Sequence, residues 1–438
     1  RRRRNRSARH PHRPSALRGG HTQASEEPLM QYLVTMQIDG MDVPAGTLFQ
    51  NIRNGEETTS FVYDQQYLTR EDAFALAPDV PLGGGSFHSA GLRSLRALED
   101  CMPDRWGRNL MTRAERLEAK NAGRTPRTLF ETDLLTGVND ETRQGALRLW
   151  DADGNVLTAP ETGVPREIDL PHLLSSADRA SQDMDVDIRD LLDAGSSLGG
   201  ARPKASMRDE HGDLWMAKFP KSAEGYLEDV GAWEHTCLLL MEACGITTPS
   251  SRCLRIVNRS VLLIKRFDRK GAMRLPYISG LTAVQGEDGG SYSLLELVEF
   301  LESNGSAPEK DLPELWLRAL FGCVVGNTDN HLRNFGFLHS NRGWRLAPVF
   351  DVNPTPGAEP KRFATALGFG EQYSSVREAV ALSEYFHVAP SAARATCREL
   401  AKRLRNWRVV ARKEGIAEAS IEWMGEGIDR QLAELANC

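Results

Sequence analysis

The sequence predicts an α+β protein with a small α/β unit over residues 30–150, a mixed, strand-rich unit over 172–280 and a helical lobe over 281–438. Three observations predict it. Short strand-type alternations dominate before Gly280, helical periodicity dominates after it, and a glycine cluster at 195–200 sits inside the strand-rich part.

The elements follow in order. YLVTMQ (32–37) and SFVY (60–63) alternate as strands do, and helical text covers 91–122 and, more briefly, 129–135. DADGNVLTAPETGVPREIDLP (151–171) is rich in Gly, Pro, Asp and Thr and reads as a turn followed by a linker. The next unit holds a helix near 187–194, the glycine-rich turn, a strand ending in LWMAKFP (214–220), a helix near 227–243 and paired strands SRCLRIVN and VLLIKRF (251–267). Beyond Gly280, helices are expected near 292–303, 312–325, 375–386, 390–405 and 417–436, with short strands only around 336–338 and 344–350.

Composition excludes several classes. Apolar residues make up 40% of the 438 positions and charged ones 26%, which disfavours both a disordered chain and a membrane-embedded one. The longest apolar runs, CLLLMEAC (237–244) and FGCVVG (321–326), fall well short of the roughly 20 residues that span a bilayer. Seven cysteines form no CxxC pair and have no His at ligand spacing, so a reducing, cytoplasmic setting is expected rather than a disulfide or zinc framework. The net charge of −6 hides an asymmetry: residues 1–25 carry eight Arg and no acidic residue, leaving 46 basic and 60 acidic residues beyond them. Residues 1–29 therefore read as a solvated basic arm or an upstream extension, with a nucleic-acid contact as the alternative.

Four features, in one order, suit the handling of a nucleoside triphosphate. GSSLGGARPKA (195–205) offers glycines that let backbone N–H groups approach an anion, although an ordinary turn would look the same. Lys218 shares a strand face with Leu214 and Met216; it either snorkels to the edge or holds phosphates, with Glu234 preferred over Glu228 as its carboxylate. In GNTDNHLRNFGFL (326–338), Asp329 and Asn334 stand five apart, the spacing of a kinase catalytic loop, and also one that a cap and a turn would produce. Asp351 closes the run LAPVF, and with Asn334 it would give the oxygen donors that magnesium prefers.

Taken together with CMPDRWGR (101–108), AKFP, WEHTCLLLMEACGI, LLIKRFDR and LAPVFDVNP, this text resembles the HipA-type serine/threonine kinases, toxins of bacterial toxin–antitoxin modules. The resemblance implies a two-lobed, kinase-like fold, distantly similar to phosphoinositide kinases, with an all-helical C-terminal lobe. It implies ATP and Mg2+ as cofactors, Asp329 as the catalytic Asp with His331 and Arg333 beside it in the catalytic set, and Asn334 and Asp351 as magnesium ligands. Ser197, Leu198, Gly199, Gly200, Lys218 and Glu234 would hold the phosphate side, and the backbone from Lys265 to Phe267 would face adenine. In the family a serine of the glycine-rich loop is autophosphorylated, which silences the kinase; Ser197 aligns best, with Ser196 beside it.

The implied partners are a HipB-like helix-turn-helix antitoxin, operator DNA reached through that antitoxin, and a protein substrate, an aminoacyl-tRNA synthetase being one candidate; no membrane is expected. Two other functions stay compatible with the text: a catalytically silent scaffold that acts by binding antitoxin and operator, and a small-molecule or lipid kinase on the same scaffold.

Overall fold

The computed structural model describes residues 30–89, 91–158, 163–182, 188–195, 202–225, 227–340, 342–370 and 372–438. The arginine-rich arm at 1–29 lies outside them.

The N-terminal sheet is five-stranded and antiparallel, in the order Ser86–His88, Glu56–Tyr63, Met41–Arg53, Met30–Ile38, Leu147–Trp150. Its two tight hairpins turn at Asp39-Gly40 and Asn54-Gly55, where all four residues have positive φ (48°, 81°, 56° and 79°), the two-residue geometry that matches strand twist. The strand Met41–Arg53 between them was not expected from the sequence, because Pro44 and Gly46 break its alternation. The structure accommodates both at a bulge: Val34 lies opposite Gly46 and Thr35 opposite Pro44, which leaves Ala45 as the extra residue.

The helix expected over 91–122 is two helices, Arg96–Glu99 and Arg105–Asn121. Pro103 lacks an N–H and excludes its predecessor from helical geometry, and Asp104 then caps the second helix by accepting from the Gly107 N–H at 2.8 Å. The interruption matters later, since it leaves residues 100–104 non-helical.

The second sheet has the order Lys204–Arg208, Leu214–Lys218, Arg259–Lys265, Ser251–Ile256, all antiparallel. Lys204–Arg208 is a strand where the sequence reading had only the end of a glycine-rich turn. Alternation sorts the sheet's two faces. Trp215, Ala217 and Leu263 pack with Trp106, Leu110, Leu173, Leu174 and Leu191, whereas Met216, Leu262 and Ile264 join the core that contains Trp233 and Cys237 of helix Val230–Ala243. Lys218 shares the Met216 face, so it points toward that helix.

The C-terminal part is helical apart from one three-stranded sheet, Tyr277–Ser279, Gly336–Ser340 and Gly343–Leu346. After a single turn of helix at Gly280–Ala283, its described helices are Leu294–Asn304, Pro308–Val325, Val376–Ala381, Pro390–Leu404, Trp407–Lys413 and Glu418–Ala436; Trp407–Lys413 was not expected. Trp407 of that short helix lies 6.2 Å from Trp233, and the Trp233 indole donates to Ser420 Oγ at 2.9 Å, which ties the terminal helices to Val230–Ala243. Among the described residues no helix is long and apolar enough to cross a membrane, and the seven cysteines form no disulfide.

Candidate active site

Lys218 ends its strand buried, and its ammonium donates to Glu234 Oε1 at 2.7 Å and also to Asp351 Oδ1. Glu234 lies on the inward face of Val230–Ala243, one turn from the helix start, and accepts from the Asp351 N–H at 3.0 Å as well. Glu228, the other candidate, instead receives the Gly225 N–H at 3.3 Å. Asp351 takes φ 55°, left-handed backbone that costs a non-glycine residue on the order of 1 kcal/mol. The turn this makes after Phe350 brings its carboxylate to Lys218.

The charges in this cluster are unequal in number, with two carboxylates to one ammonium. Burial would lower the Lys218 ammonium, but Asp351 and Glu234 hold it above its ordinary value. Burial pushes the Glu234 carboxyl up, with Lys218 opposing and Asp351 reinforcing. Burial would push Asp351 up too, but the ammonium groups of Lys218 and Lys204 outweigh it and hold it low. The two carboxyls are thus shifted in opposite directions, as two that share a site tend to be.

Helix Pro308–Val325 stops at Gly326, which adopts φ 67° and donates its N–H to Gly322 O. The loop that follows is densely bonded. Asn327 Oδ1 accepts from the Asn353 N–H at 3.2 Å, Thr328 Oγ1 lies 3.0 Å from Thr355 Oγ1, and Asn330 exchanges two bonds with the Thr365 backbone at 3.0 and 3.1 Å. These contacts explain why so many polar groups stand beside the core: they lace the loop to residues 353–365. Asn330 is itself a buried part of that lacing.

What the lacing leaves outward is Asp329, whose side chain is 83% exposed. Asn334 donates through Nδ2 to the Asp329 carbonyl at 2.7 Å, which keeps its amide oxygen as an acceptor end. His331 Nε2 lies 3.8 Å from Asp329 Oδ1, its buried Nδ1 has no hydrogen-bond partner among the described residues, and its charge when protonated acts on Asp351. Asp329, His331 and Asn334 therefore share one turn, and His331 links it electrostatically to Asp351. Arg333 points elsewhere: it binds Asp288 at 2.8 and 2.9 Å and Glu99 at 3.0 Å.

Lys265 is half-exposed and pairs with Asp213 at 2.5 Å, so its side chain faces outward while its backbone closes the strand. Phe267 stacks obliquely on Phe350, with centroids 5.7 Å apart, which sets an apolar ring beside the residue preceding Asp351. Ser196, Ser197, Leu198, Gly199 and Gly200 lie outside the described residues. Among the described residues no group of three or more His, Cys, Asp or Glu is arranged to hold a metal ion. The donor set of one carboxylate, Asp351, and one amide oxygen, Asn334, fits magnesium chemistry, in which phosphate oxygens and water complete the shell.

One pair escaped the sequence reading. Lys204 stands opposite Lys218 in the strand register, and its ammonium binds Asp104 Oδ2 at 2.5 Å with both side chains buried. Asp104 belongs to CMPDRWGR, but the hundred residues separating the partners left no local signal.

Residues 196–408 match a family model described as the HipA-like C-terminal domain, and residues 36–125 match one described as the HipA N-terminal domain. The chain belongs to the HipA family. The fold agrees with that of the HipA chain solved in a HipA, HipB and operator DNA complex from Shewanella oneidensis, with a TM-score of 0.62 at 14% identity, covering 92% of this chain and 99% of that one. Two curated proteins with provisional kinase names also align. One, from Haemophilus influenzae, is 24% identical over 201 residues, 39% of this chain and 57% of that protein. The other, from Sinorhizobium fredii, is 33% identical over 161 residues, 33% of this chain and 36% of that protein. The HipA C-terminal match contains Lys218, Glu234, Asp329, Asn334 and Asp351, and the N-terminal match contains Asp104.

Proposed function

We propose that this HipA-family chain is an ATP- and magnesium-dependent protein kinase acting on a Ser or Thr hydroxyl, the toxin of a module with a HipB-like antitoxin. The observation that carries this reading is the cluster of buried Lys218 and Glu234 with partly buried Asp351, linked electrostatically through His331 to the laced turn that leaves Asp329 facing outward. A lysine oriented by a helical carboxylate is the arrangement that kinases use for ATP phosphates. Asp329, open to solvent, has room for an acceptor hydroxyl and can receive its proton. The acceptor Oγ bonds to the γ-phosphorus as the bond to the β–γ bridging oxygen breaks, ADP leaves, and the proton passes to an Asp329 oxygen. Asn334 and Asp351 would hold magnesium, which when bound neutralises phosphate charge. Phe267 and the backbone from Lys265 would border adenine.

A phosphate on Ser197 or Ser196 would bring about −1.5 to −2 charges to the glycine-rich loop, disfavouring its return beside ATP. The likeness to a HipA chain solved with HipB and operator DNA supports a helix-turn-helix antitoxin partner, with operator contact through it. The substrate is proposed as a protein, with an aminoacyl-tRNA synthetase as one candidate.

Asp329→Asn should cut phosphate transfer from γ-labelled ATP on the order of 10²–10⁴-fold, the span of general-base contributions, without loss of the folded state. A fully active variant refutes the assignment.

A further inference from the structure

The six residues Glu99 to Asp104 reach both sides of the proposed phosphoryl-transfer site. Asp104 Oδ2 holds Lys204, which follows the glycine-rich stretch and stands opposite Lys218. Glu99 Oε2 takes Arg333 at 3.0 Å and Asp100 Oδ1 lies 3.7 Å from the same guanidinium, one residue before Asn334 and four after Asp329. Asp100 also accepts the Ser279 N–H at 2.6 Å, which anchors the segment to the helical lobe. The near end of the glycine-rich stretch meets this same N-terminal unit: Gly195 packs so closely on Thr142 that a Cβ there would lie 2.0 Å from Thr142 Oγ1.

We propose that residues 99–104 are a brace that fixes the spacing between the phosphate side and the catalytic loop. Asp104 is a positioning residue acting through Lys204, and Glu99 and Asp100 act through Arg333. The proposal rests on the kinase reading above and deepens it, because it makes the N-terminal unit a working part of the site. The chemistry favours a brace over incidental packing. A buried Lys–Asp pair broken by loss of one partner leaves an uncompensated charge, so Lys204 would be drawn to the nearest carboxylate, and Asp351 already feels it. That motion would pull a candidate magnesium ligand out of place. Arg333 likewise ties its turn to Glu99 by one hydrogen bond and to Asp100 by a longer ion pair, while the rest of its guanidinium forks onto Asp288, a planar arrangement that Lys could not replace.

The test uses the full chain and the variants Asp104→Asn, Lys204→Gln, their double and Glu99→Gln/Asp100→Asn, with kcat and KM for ATP, calorimetric ATP affinity and thermal unfolding measured for each. Asn retains the helix cap through its side-chain oxygen, so Asp104→Asn removes the charge while keeping the fold's local contact. The expected result is a KM for ATP raised about tenfold, the low end of what losing an orienting partner costs at ligand sites. The double variant should be no worse than Lys204→Gln alone, since Asp104 acts through that lysine. Glu99→Gln/Asp100→Asn should lower kcat several-fold with KM for ATP unchanged. Wild-type kinetics in Asp104→Asn, or losses that add in the double, overturn the brace while leaving the kinase reading intact. If Asp104→Asn does not fold, the Glu99→Gln/Asp100→Asn pair decides, and an unchanged kcat overturns the proposal. A wild type that binds ATP without transferring phosphate refutes the kinase reading, and the effect of Asp104→Asn on ATP affinity still decides the brace; a wild type that binds no ATP removes both.

Discussion

Two buried charge clusters lie within a few residues of the same sheet and are built oppositely. Around Asp268, two guanidiniums meet one carboxylate: Arg266 binds it at 2.6 and 2.7 Å, Arg269 at 2.8 Å, and the Gly145 N–H adds a further bond at 2.8 Å. The surplus positive charge is absorbed by backbone carbonyls, with Arg266 donating to Thr142 O at 2.9 Å and Arg269 to Arg143 O at 2.6 Å. Burial alone would push Asp268 up, but Arg266 and Arg269 hold it well below the usual carboxylate range. Around Lys218 the excess is negative, and no additional cation among the described side chains is bonded to Glu234 or Asp351. The first cluster is complete within the protein and joins residues 142–145 to the strand end at 266–269. The second is one positive charge short. On the kinase reading proposed above, a polyanionic phosphate tail would approach two carboxylates sharing one ammonium only together with a cation, and the shortfall would then serve binding.

The sharpest way to break this contrast is to neutralise one carboxylate in each cluster. Asp351→Asn should reduce phosphate transfer on the order of 10³-fold, comparable to removing one preorganised electrostatic group, measured with labelled ATP in excess magnesium. Asp268→Asn should do the reverse. It leaves two buried guanidiniums without their carboxylate, so urea unfolding should report a loss of about 3–5 kcal/mol, with transfer by the remaining folded protein reduced far less than in Asp351→Asn. If both variants lose activity and stability in the same proportion, the clusters are not different in kind.

The contrast also explains which parts were legible from the text alone. Lys218 and Glu234 were readable because each sits on a regular element, where period 2 and period 3.6 assign a face, and a strand and the helix following it meet locally. Asp329 and Asn334 were readable as a spacing, although the reason for the exposure of Asp329 was not: the bonds of Asn327, Thr328 and Asn330 run to residues 353–365, which no local pattern predicts. The strand Met41–Arg53 was hidden by Pro44 and Gly46 at a bulge, despite Asp39-Gly40 and Asn54-Gly55 marking hairpins at both ends. Asp104 and Arg333 illustrate a harder limit. Lys204 lies 100 residues from Asp104 and Glu99 lies 234 from Arg333, and a charged side chain in the text looks the same whether it is solvated or buried against a distant opposite charge.

The pH dependence of stability should separate the clusters by sign. Asp268 is held low, so its contribution is complete above the unfolded value of about 3.9 and is lost as pH falls through the folded value. Glu234 is held high, so its contribution is complete below the unfolded value of about 4.3 and is lost as pH rises through the folded value. Urea midpoints followed across the acid range should therefore show Asp268→Asn flattening the acid limb and Glu234→Gln flattening a decline that begins above about pH 4.3. Parallel curves for the two variants would mean that the clusters respond alike.

The smallest effect tests the shortfall itself. If the Lys218 cluster lacks a cation, magnesium chloride without nucleotide should stabilise the wild type, by about 1 kcal/mol at roughly five times its dissociation constant. Calcium, larger and content with more ligands than two side chains supply, should do less. The gain should vanish in Asp351→Asn and persist in Asp268→Asn, because only the first removes a carboxylate from the negative cluster. A gain retained in Asp351→Asn would place the ion elsewhere on the chain, and the unequal charges around Lys218 would then need a different explanation, with Glu234 protonated in the folded protein the first to examine.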